Sequence, residues 1–292
     1  TALINCGLTD PAINTHPPLI IRHPSSPAPA ISAIAFMEPE TTPAHSARPS
    51  PPPISSTPHI RPPLRAISNS RGYDYLVSQP PDFDDHPQRR WPLILFLHGA
   101  GERGSQLTDI TRQGLPKLLS TDSELFPDEI EVGRDVGARF VVVAPQCSHY
   151  EVWNDDEVLC LLEDVRGQFN VDPARVYFTG MSMGGFGVWS IGLRHLRRFA
   201  ALVPVCGGGR ITDVSAAAEM DPVALRSLGV WAFHGARDRV VPVEESERMI
   251  EALRGAGVPD VKFTVYPECE HDSWSASYAN PELYQWLLQH AR

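Results

Sequence analysis

A serine near the middle of the chain stands in a pattern that suits a nucleophile. Gly180, Ser182 and Gly184 form Gly-x-Ser-x-Gly directly after the short apolar run 176–180 and before a segment with helical spacing. A sharp turn from a strand into a helix leaves no room for side chains two residues before and two residues after its centre, and glycine relieves that crowding. The spacing therefore predicts a strained turn that presents the Ser182 hydroxyl for attack on a carbonyl carbon.

A serine hydroxyl becomes a good nucleophile only when an imidazole accepts its proton and a carboxylate orients that imidazole. Asp238 follows the strand-like run 229–235, and His271 follows the run 262–267. The chain order serine, aspartate, histidine is one of the orders in which such triads occur. We therefore predict Ser182 as nucleophile, His271 as general base and Asp238 as its orienting acid.

Other histidines and carboxylates compete for the last two roles. Only His271 lies in the loop after the last predicted strand, and only Asp238 lies in the turn expected for the acid. The weaker candidates are His98, His195 and His234 for the base, and Asp213, Asp221 and Asp272 for the acid.

Acyl transfer also needs two amide donors aimed at the developing oxyanion. The N–H of Met183 comes directly after the nucleophile, at the start of the predicted helix. A second glycine-rich loop, 98–104, follows the apolar run 92–98, and glycines flank Ala100 in it. We predict the amides of Met183 and Ala100 as the oxyanion hole.

The elements that must hold these residues alternate between strand and helix. Such alternation predicts an α/β fold, a mostly parallel sheet with helices on both faces, in which ligands bind beyond the carboxyl ends of the strands. The predicted strands are 72–78, 92–98, 139–145, 176–180, 200–207, 229–235 and 262–267, and the predicted helices are 155–169, 184–196, 244–257 and 281–290.

The composition divides the chain near Pro63. Of 29 prolines, 15 lie in residues 1–63, which we interpret as a disordered, proline-rich tail, with Met37 as a candidate start and residues 51–53 as a candidate ligand for proline-binding domains. Residues 64–292 are ample for one catalytic domain. The tail holds three basic and three acidic residues, so the formal charge of −10 belongs to that domain and disfavours nucleic acid and anionic membranes as partners.

Targeting and metal signals are scarce in the sequence. No apolar run suits a signal peptide or a membrane span, which together with the cysteines favours a reducing, cytoplasmic location. The five cysteines include no Cys-x-x-Cys pair and no metal-ligand spacing, so free thiols and no metal are expected, and a Cys206–Cys269 bridge stays open.

Five separated segments together carry a resemblance to a known family. They read LFLHGAGERGS, VAPQC, VDPARVYFTGMSMGGFGVWSIGLRHLRRFAALVPVCGGG, WAFHGARDRVVPV and YPECEHDSW. From about Tyr73 onward the chain resembles α/β-hydrolase carboxylesterases of the polyhydroxybutyrate-depolymerase-like and feruloyl-esterase-like group. The resemblance implies a serine esterase that needs no cofactor, with Ser182, Asp238 and His271 as its triad and Ala100 and Met183 at its oxyanion hole.

The substrate is less closely determined. The connection 207–228, where hydrolases of this fold often insert a lid, is too short for a cap domain, which predicts an open site for short-acyl or aryl esters, small or polymeric. Trp153, Trp189 and Trp274 are candidates to wall that site. A peptidase of the same fold and a non-catalytic binding protein are the alternatives, and the oligomeric state stays open.

Overall fold

The computed structural model describes residues 64–69, 72–121 and 123–292. The predicted tail, its candidate start and its proline-rich motif lie outside these residues. Four cysteines are described, and all four, including Cys206 and Cys269, are free thiols. None of the helices among the described residues combines the length and apolar character needed to cross a membrane.

The described residues form an eight-stranded sheet in the order β1-β2-β4-β3-β5-β6-β7-β8. The β1–β2 and β2–β4 pairs are antiparallel, and every other neighbouring pair is parallel. The strands are β1 Arg65–Ile67, β2 Tyr75–Ser78, β3 Trp91–Leu97, β4 Val141–Pro145, β5 Val171–Met181, β6 Ala201–Val205, β7 Gly229–Gly235 and β8 Val261–Tyr266. The mostly parallel sheet predicted from the alternating pattern is confirmed.

Helices cover both faces of this sheet. Helices α3, α4, α5 and α7 contribute to the apolar core on one face, and α1, α2, α8 and α9 to the core on the other. The helices are α1 Gly114–Leu119, α2 Pro127–Arg139, α3 Asp155–Gln168, α4 Met183–Arg194, α5 Ile211–Met220, α6 Pro222–Arg226, α7 Glu244–Gly255, α8 Trp274–Tyr278 and α9 Pro281–Leu287. Strands β3, β4, β6 and β7 and the second half of β5 are buried on both faces, which explains their continuous apolar runs.

The strand order fixes where a ligand can bind. The chain leaves β3 toward β4 on one side and leaves β5 toward β6 on the other, so the neighbours β3 and β5 flank a topological switch point. In open parallel sheets the ligand crevice lies at such a point, beyond the carboxyl ends of the strands. The glycine-rich loop after β3 and Ser182 after β5 are the two segments that meet there.

The connection from β6 to β7 holds only α5 and α6, of ten and five residues. Two helices of this size do not make a cap domain. The described part of the chain thus leaves the carboxyl edge of the sheet without a large cover.

Candidate active site

Ser182 sits on a strained turn between β5 and α4. Its φ of 52° and ψ of −117° put it in a region that side-chain-bearing residues rarely adopt. Glycine makes the turn possible: a Cβ on Gly180 would lie 2.7 Å from the carbonyl of Gly184, and one on Gly184 would lie closer than 3.0 Å to the carbonyl oxygen of Leu97. The structure therefore has the sharp turn that the glycine spacing predicts.

His271 stands between Ser182 and Asp238. Its Nε2 lies 2.9 Å from the Oγ of Ser182, and its Nδ1 lies 2.7 Å from the Oδ2 of Asp238. The histidine side chain is 20% exposed and that of Asp238 is fully buried. The three predicted residues, which are far apart along the chain, are thus brought into one hydrogen-bonded line that ends at Ser182.

The environment of Asp238 keeps it charged. Its Oδ1 accepts the amides of Val240 and Val241 at 2.8 and 2.9 Å. Burial by itself would raise the pKa of the Asp238 carboxyl, but the hydrogen bonds from His271, Val241 and Val240 outweigh burial and hold the pKa below its ordinary value. A carboxylate fixed in this way can orient the imidazole of His271.

The two amides predicted for the oxyanion hole start two helices. Met183 is the first residue of α4, and Ala100 is the first residue of a short 3-10 helix, Ala100–Glu102. An N–H at the first helical position has no intrahelical acceptor, so each is open to a ligand. The amide of Gly99 is committed elsewhere, since it donates to the Oε2 of Glu102 at 3.1 Å.

Glu102, Arg103 and Gln146 fix the loop that carries Ala100, and reasoning from the sequence did not assign them a role. The Nε of Arg103 donates to the Ala100 carbonyl at 3.0 Å, and its Nη1 donates to the Glu151 carbonyl at 3.2 Å. Gln146 donates to the Glu102 carbonyl at 3.0 Å. All three lie in the segments LFLHGAGERGS and VAPQC that carry the family resemblance, which was the available signal.

Glu102 is a buried carboxyl close to the reacting centre. A Cβ on its partner Gly99 would lie 3.6 Å from the Cβ of Ser182. Burial raises the pKa of the Glu102 carboxyl, and the Gly99 amide offsets only part of that effect. The side chain therefore caps the loop by accepting the Gly99 amide from a buried position.

Cys206 follows β6 and lies close to Asp238 and His271. It is fully buried and, like Ser182, has a positive φ, of 40°. One ligand atom from each of Cys206, Asp238 and His271 lies within 4.8 Å of the others, the one such group in the part of the chain that the structure describes. The Asp238 and His271 atoms are already joined by a hydrogen bond of 2.7 Å, which occupies the positions that a metal would need.

The three predicted tryptophans differ in position. Trp189 is 0% exposed and Trp153 is 7% exposed, with its indole N–H donating to the His98 carbonyl at 3.1 Å. The prediction that these two wall the site is wrong, because their side chains belong to the core. Trp189 comes seven residues after Ser182 in α4, so it lies two helical turns, or about 10 Å, further along the helix axis. Trp274 does lie beside the site, with its ring 5.4 Å from that of His271.

Five exposed apolar side chains lie at the carboxyl edge of the sheet and were not predicted. Each belongs to a segment that begins where a strand ends, so its position after a strand was the available signal. They are Tyr150 and Val152 after β4, Phe186 on α4, Ile211 after β6 and Val240 after β7. They add apolar surface to the segments that follow the strand ends.

The competing acids have other partners. Asp213 pairs with Arg210, Asp221 pairs with Arg197 and caps α6, and Asp272 accepts from Ser275. Their carboxylates are thus committed outside the line formed by Ser182, His271 and Asp238.

The sheet order, the sharp turn at Ser182 and the hydrogen-bonded line behind it define an α/β-hydrolase fold with a hydrolase-like site. Residues 151–281 match the dienelactone hydrolase family. A bifunctional acetylxylan esterase/xylanase of Neocallimastix patriciarum is 24% identical over 206 residues, which cover 67% of this chain and 26% of that protein. The chain thus spans about a quarter of the length of this relative.

Solved structures agree with that match. A thermostable esterase is 27% identical with a TM-score of 0.60 over 78% of this chain and 63% of its own. A ferulic acid esterase is 19% identical with a TM-score of 0.59 over 77% of this chain and 95% of its own. The resemblance to esterase-like hydrolases of the α/β-hydrolase fold is confirmed.

Proposed function

We propose that the protein is a serine carboxylesterase that hydrolyses short-acyl or aryl carboxylic esters through an acyl-enzyme. The observation that carries the proposal is the pair of hydrogen bonds from His271, 2.9 Å to Ser182 and 2.7 Å to Asp238. A base in contact with both a nucleophile and an orienting carboxylate is the arrangement that acyl transfer requires.

In the acylation half of the reaction, the Nε2 of His271 takes the Ser182 proton as Oγ forms a bond to the ester carbonyl carbon. The amides of Met183 and Ala100 hold the negative charge that develops on the carbonyl oxygen. The tetrahedral intermediate collapses with cleavage of the carbon–oxygen bond to the alcohol, which leaves with the proton from His271. In the second half, water repeats these steps on the acyl-serine, and the acid is released.

The proposed substrate class rests on the crevice and on the relatives. The crevice is uncapped, and the exposed side chains of Tyr150, Phe186 and Val240 offer apolar surface to an acyl or aryl group. The names of the relatives refer to acetylxylan, to ferulic acid and to a dienelactone, which are all esters or acids of esters. An acylated polysaccharide and a small aryl ester are therefore both proposed substrates.

The test uses the wild-type chain and Ser182→Ala with a fluorophosphonate probe and p-nitrophenyl acetate. We expect the probe on Ser182 of the wild type, located by mass spectrometry, and a fall in kcat of several orders of magnitude in the variant, by analogy with the ~10^6-fold loss for a serine-protease nucleophile. Unchanged hydrolysis in Ser182→Ala would refute the nucleophile. Ser190→Ala, on the same helix, is the matched control and should retain activity.

A substrate panel tests the ester preference. Ester and amide versions of one chromogenic acyl group, acetylated xylan, methyl ferulate, a lactone and a polyester film are compared with the wild-type chain. We expect ester turnover to exceed amide turnover, because an amine is the poorer leaving group. Faster cleavage of the amide would favour the peptidase alternative.

A further inference from the structure

A second histidine, besides His271, touches the carboxylate of Asp238. His234, the penultimate residue of β7, has a side chain that is 0% exposed, and its Nε2 lies 3.3 Å from the Oδ2 of Asp238, which is also 0% exposed. The same oxygen accepts from the Nδ1 of His271 at 2.7 Å. The inference that follows rests on the proposed function, because it concerns how that carboxylate is held.

The hydrogen-bond partners of His234 determine how many protons its ring carries. Its Nδ1 lies 2.7 Å from the hydroxyl of Ser246, and that hydroxyl donates its one proton to the Gly207 carbonyl at 3.0 Å. With its proton on Gly207, the Ser246 hydroxyl is an acceptor toward Nδ1. The Nε2 lies 2.9 Å from the Val241 carbonyl, which can only accept. Nε2 therefore faces only acceptors and carries hydrogen, and with the Ser246 proton on Gly207 the Nδ1 carries one as well.

Either neutral form of the ring would leave a buried contact without a proton. With hydrogen on Nδ1 alone, the Nε2 lone pair would face the oxygens of Val241 and Asp238. With hydrogen on Nε2 alone, Ser246 would have to turn its proton from Gly207 to the ring. An unmade hydrogen bond in a fully buried site costs about 1–3 kcal/mol, whereas a cation paired with the Asp238 carboxylate satisfies every contact.

His98 is an internal contrast. Its Nε2 accepts from the Cys147 amide at 2.9 Å, so it carries no proton, and its Nδ1 lies 2.6 Å from the Gly99 carbonyl. One nitrogen accepts and the other donates, which is the pattern of a neutral ring. Burial accordingly lowers the pKa of His98 to about 4. The two histidines are equally buried, but their partners assign them different charges.

We propose that His234 is a positively charged positioning residue that holds Asp238 as an aimed carboxylate and keeps His271 free to act as a base. Two buried charges of opposite sign, His234 and Asp238, stand beside the neutral base. When His271 takes the serine proton, a second positive charge forms near the first. The charge on His234 therefore makes that second charge less favourable, which links His234 to the pH profile of activity.

The groups around this network are few among the described residues. The thiol of Cys206 faces Asp238 and His271 from the end of β6, and burial raises the pKa of that thiol to about 12, so it is neutral in any practical assay. From α7 the contact is the uncharged Ser246, while the neighbouring Glu245 is paired with Arg248 on the surface. The exposed Asp272, next to His271, is bonded to Ser275.

The proton count is tested directly by nitrogen NMR of the wild-type chain labelled with 15N-histidine near neutral pH. We expect both nitrogens of His234 to be protonated and His98 to show one protonated and one bare nitrogen, with His234→Gln and His98→Gln used for assignment. A bare nitrogen on His234 would overturn the proposal, whatever the variants do. This readout does not depend on activity.

Two variants test the role in the reaction. A glutamine amide can reach the place of Nε2 and keep a donor toward Asp238, whereas an asparagine amide can reach only the place of Nδ1. We expect His234→Gln to stay within a few-fold of wild-type kcat at its optimum and His234→Asn to lose about tenfold or more. In both, the acid limb of the kcat/KM profile should move up by about one pH unit, since a nearby charge has been removed.

His290→Gln is the matched control. Its nitrogens also face acceptors, the Trp286 carbonyl and Asp260, at 2.8 Å each, but it lies near Gly229 at the opposite edge of the sheet. Its profile should coincide with that of the wild type. An acid limb of folded His234→Gln that coincides with the wild type would overturn the proposal. If the wild-type Ser182 is not labelled by the fluorophosphonate, the proposed function fails separately, and the NMR result still decides the charge of His234.

Discussion

The Cα of Gly184 faces the carbonyl oxygen of Leu97 so closely that a Cβ would stand within 3.0 Å of it. Neither group can move easily, because one belongs to the first turn of α4, directly after Ser182, and the other ends β3. We expect Gly184→Ala to lower the free energy of unfolding by about 1–3 kcal/mol and to lose most activity, because overpacking displaces the backbone. Chemical denaturation and turnover of p-nitrophenyl acetate measure the two effects.

Gly167→Ala is the control for that substitution. Gly167 lies in α3, and a Cβ there would meet nothing within 4 Å. Alanine should stabilise this helix by about 0.5–1 kcal/mol and leave kcat unchanged. Equal stability of the two alanine variants would contradict the close approach at Gly184.

Replacement of Asp238 by asparagine tests the role of its carboxylate. The Oδ1 accepts two amides, so the asparagine NH2 group must replace Oδ2 and point its N–H at His271. The imidazole would then keep its proton on Nε2, toward Ser182, and could not act as a base. We expect a fall in kcat of about 10^4-fold, the loss seen for the same change in a serine protease, with little change in the circular dichroism spectrum. A fall of less than tenfold would argue against Asp238 as the orienting acid.

Substitutions at Glu102 test how the oxyanion loop is held. Glutamine keeps an oxygen for the Gly99 amide, so Glu102→Gln should stay within tenfold of wild-type kcat. Alanine leaves that buried amide without its acceptor, and Glu102→Ala should lower kcat by about ten- to a hundredfold with little change in KM, less than removal of an oxyanion donor itself. Steady-state kinetics on one ester distinguishes these outcomes, and equal effects of the two variants would mean that the hydrogen bond is unimportant.

The buried His98 makes stability depend on pH. Its pKa falls from 6.5 to about 4 on folding, so between these values the unfolded chain binds a proton that the folded chain does not. The contribution of His98 to the free energy of unfolding is therefore largest above pH 6.5. It is lost as the pH falls toward 4, at up to about 1.4 kcal/mol per pH unit. His98→Gln, which can still accept from Cys147, should unfold with a shallower slope over this range. Parallel slopes for the two chains would contradict a neutral, buried His98.

The sequence predicted most of the sheet because its central strands are continuous apolar runs closed by glycine or proline. The run 229–235 coincides with β7, and 92–98 differs from β3 by one residue at each end. The strand β5 begins at Val171, five residues before its apolar run, because the polar segment around Pro173 has no strand pattern and its pairing with β3 is irregular.

The glycine spacing and the order of strand ends were enough to single out Ser182, Asp238 and His271. The sequence could not indicate how deeply each side chain is buried. In α4, buried residues occur nearly all around the helix, so spacing alone could not separate the buried Trp189 from a residue at the crevice. It also could not show that His234 and Asp238 are in contact, because Asp238 lies in a turn after β7 whose shape depends on its hydrogen bonds to the amides of Val240 and Val241.

The turn at Ser182 is held in place by close contacts between backbone atoms. A Cβ on Gly184 would strike Leu97, and one on Gly185 would strike the Val205 carbonyl, so backbone atoms of β3 and β6 set the position of Ser182. The exposed apolar side chains at the carboxyl edge of the sheet make none of these backbone contacts. Mutant libraries that vary Tyr150, Phe186, Ile211 and Val240 together should therefore change which esters are accepted while most members still fold, and selectivity should be open to redesign at little cost in expression.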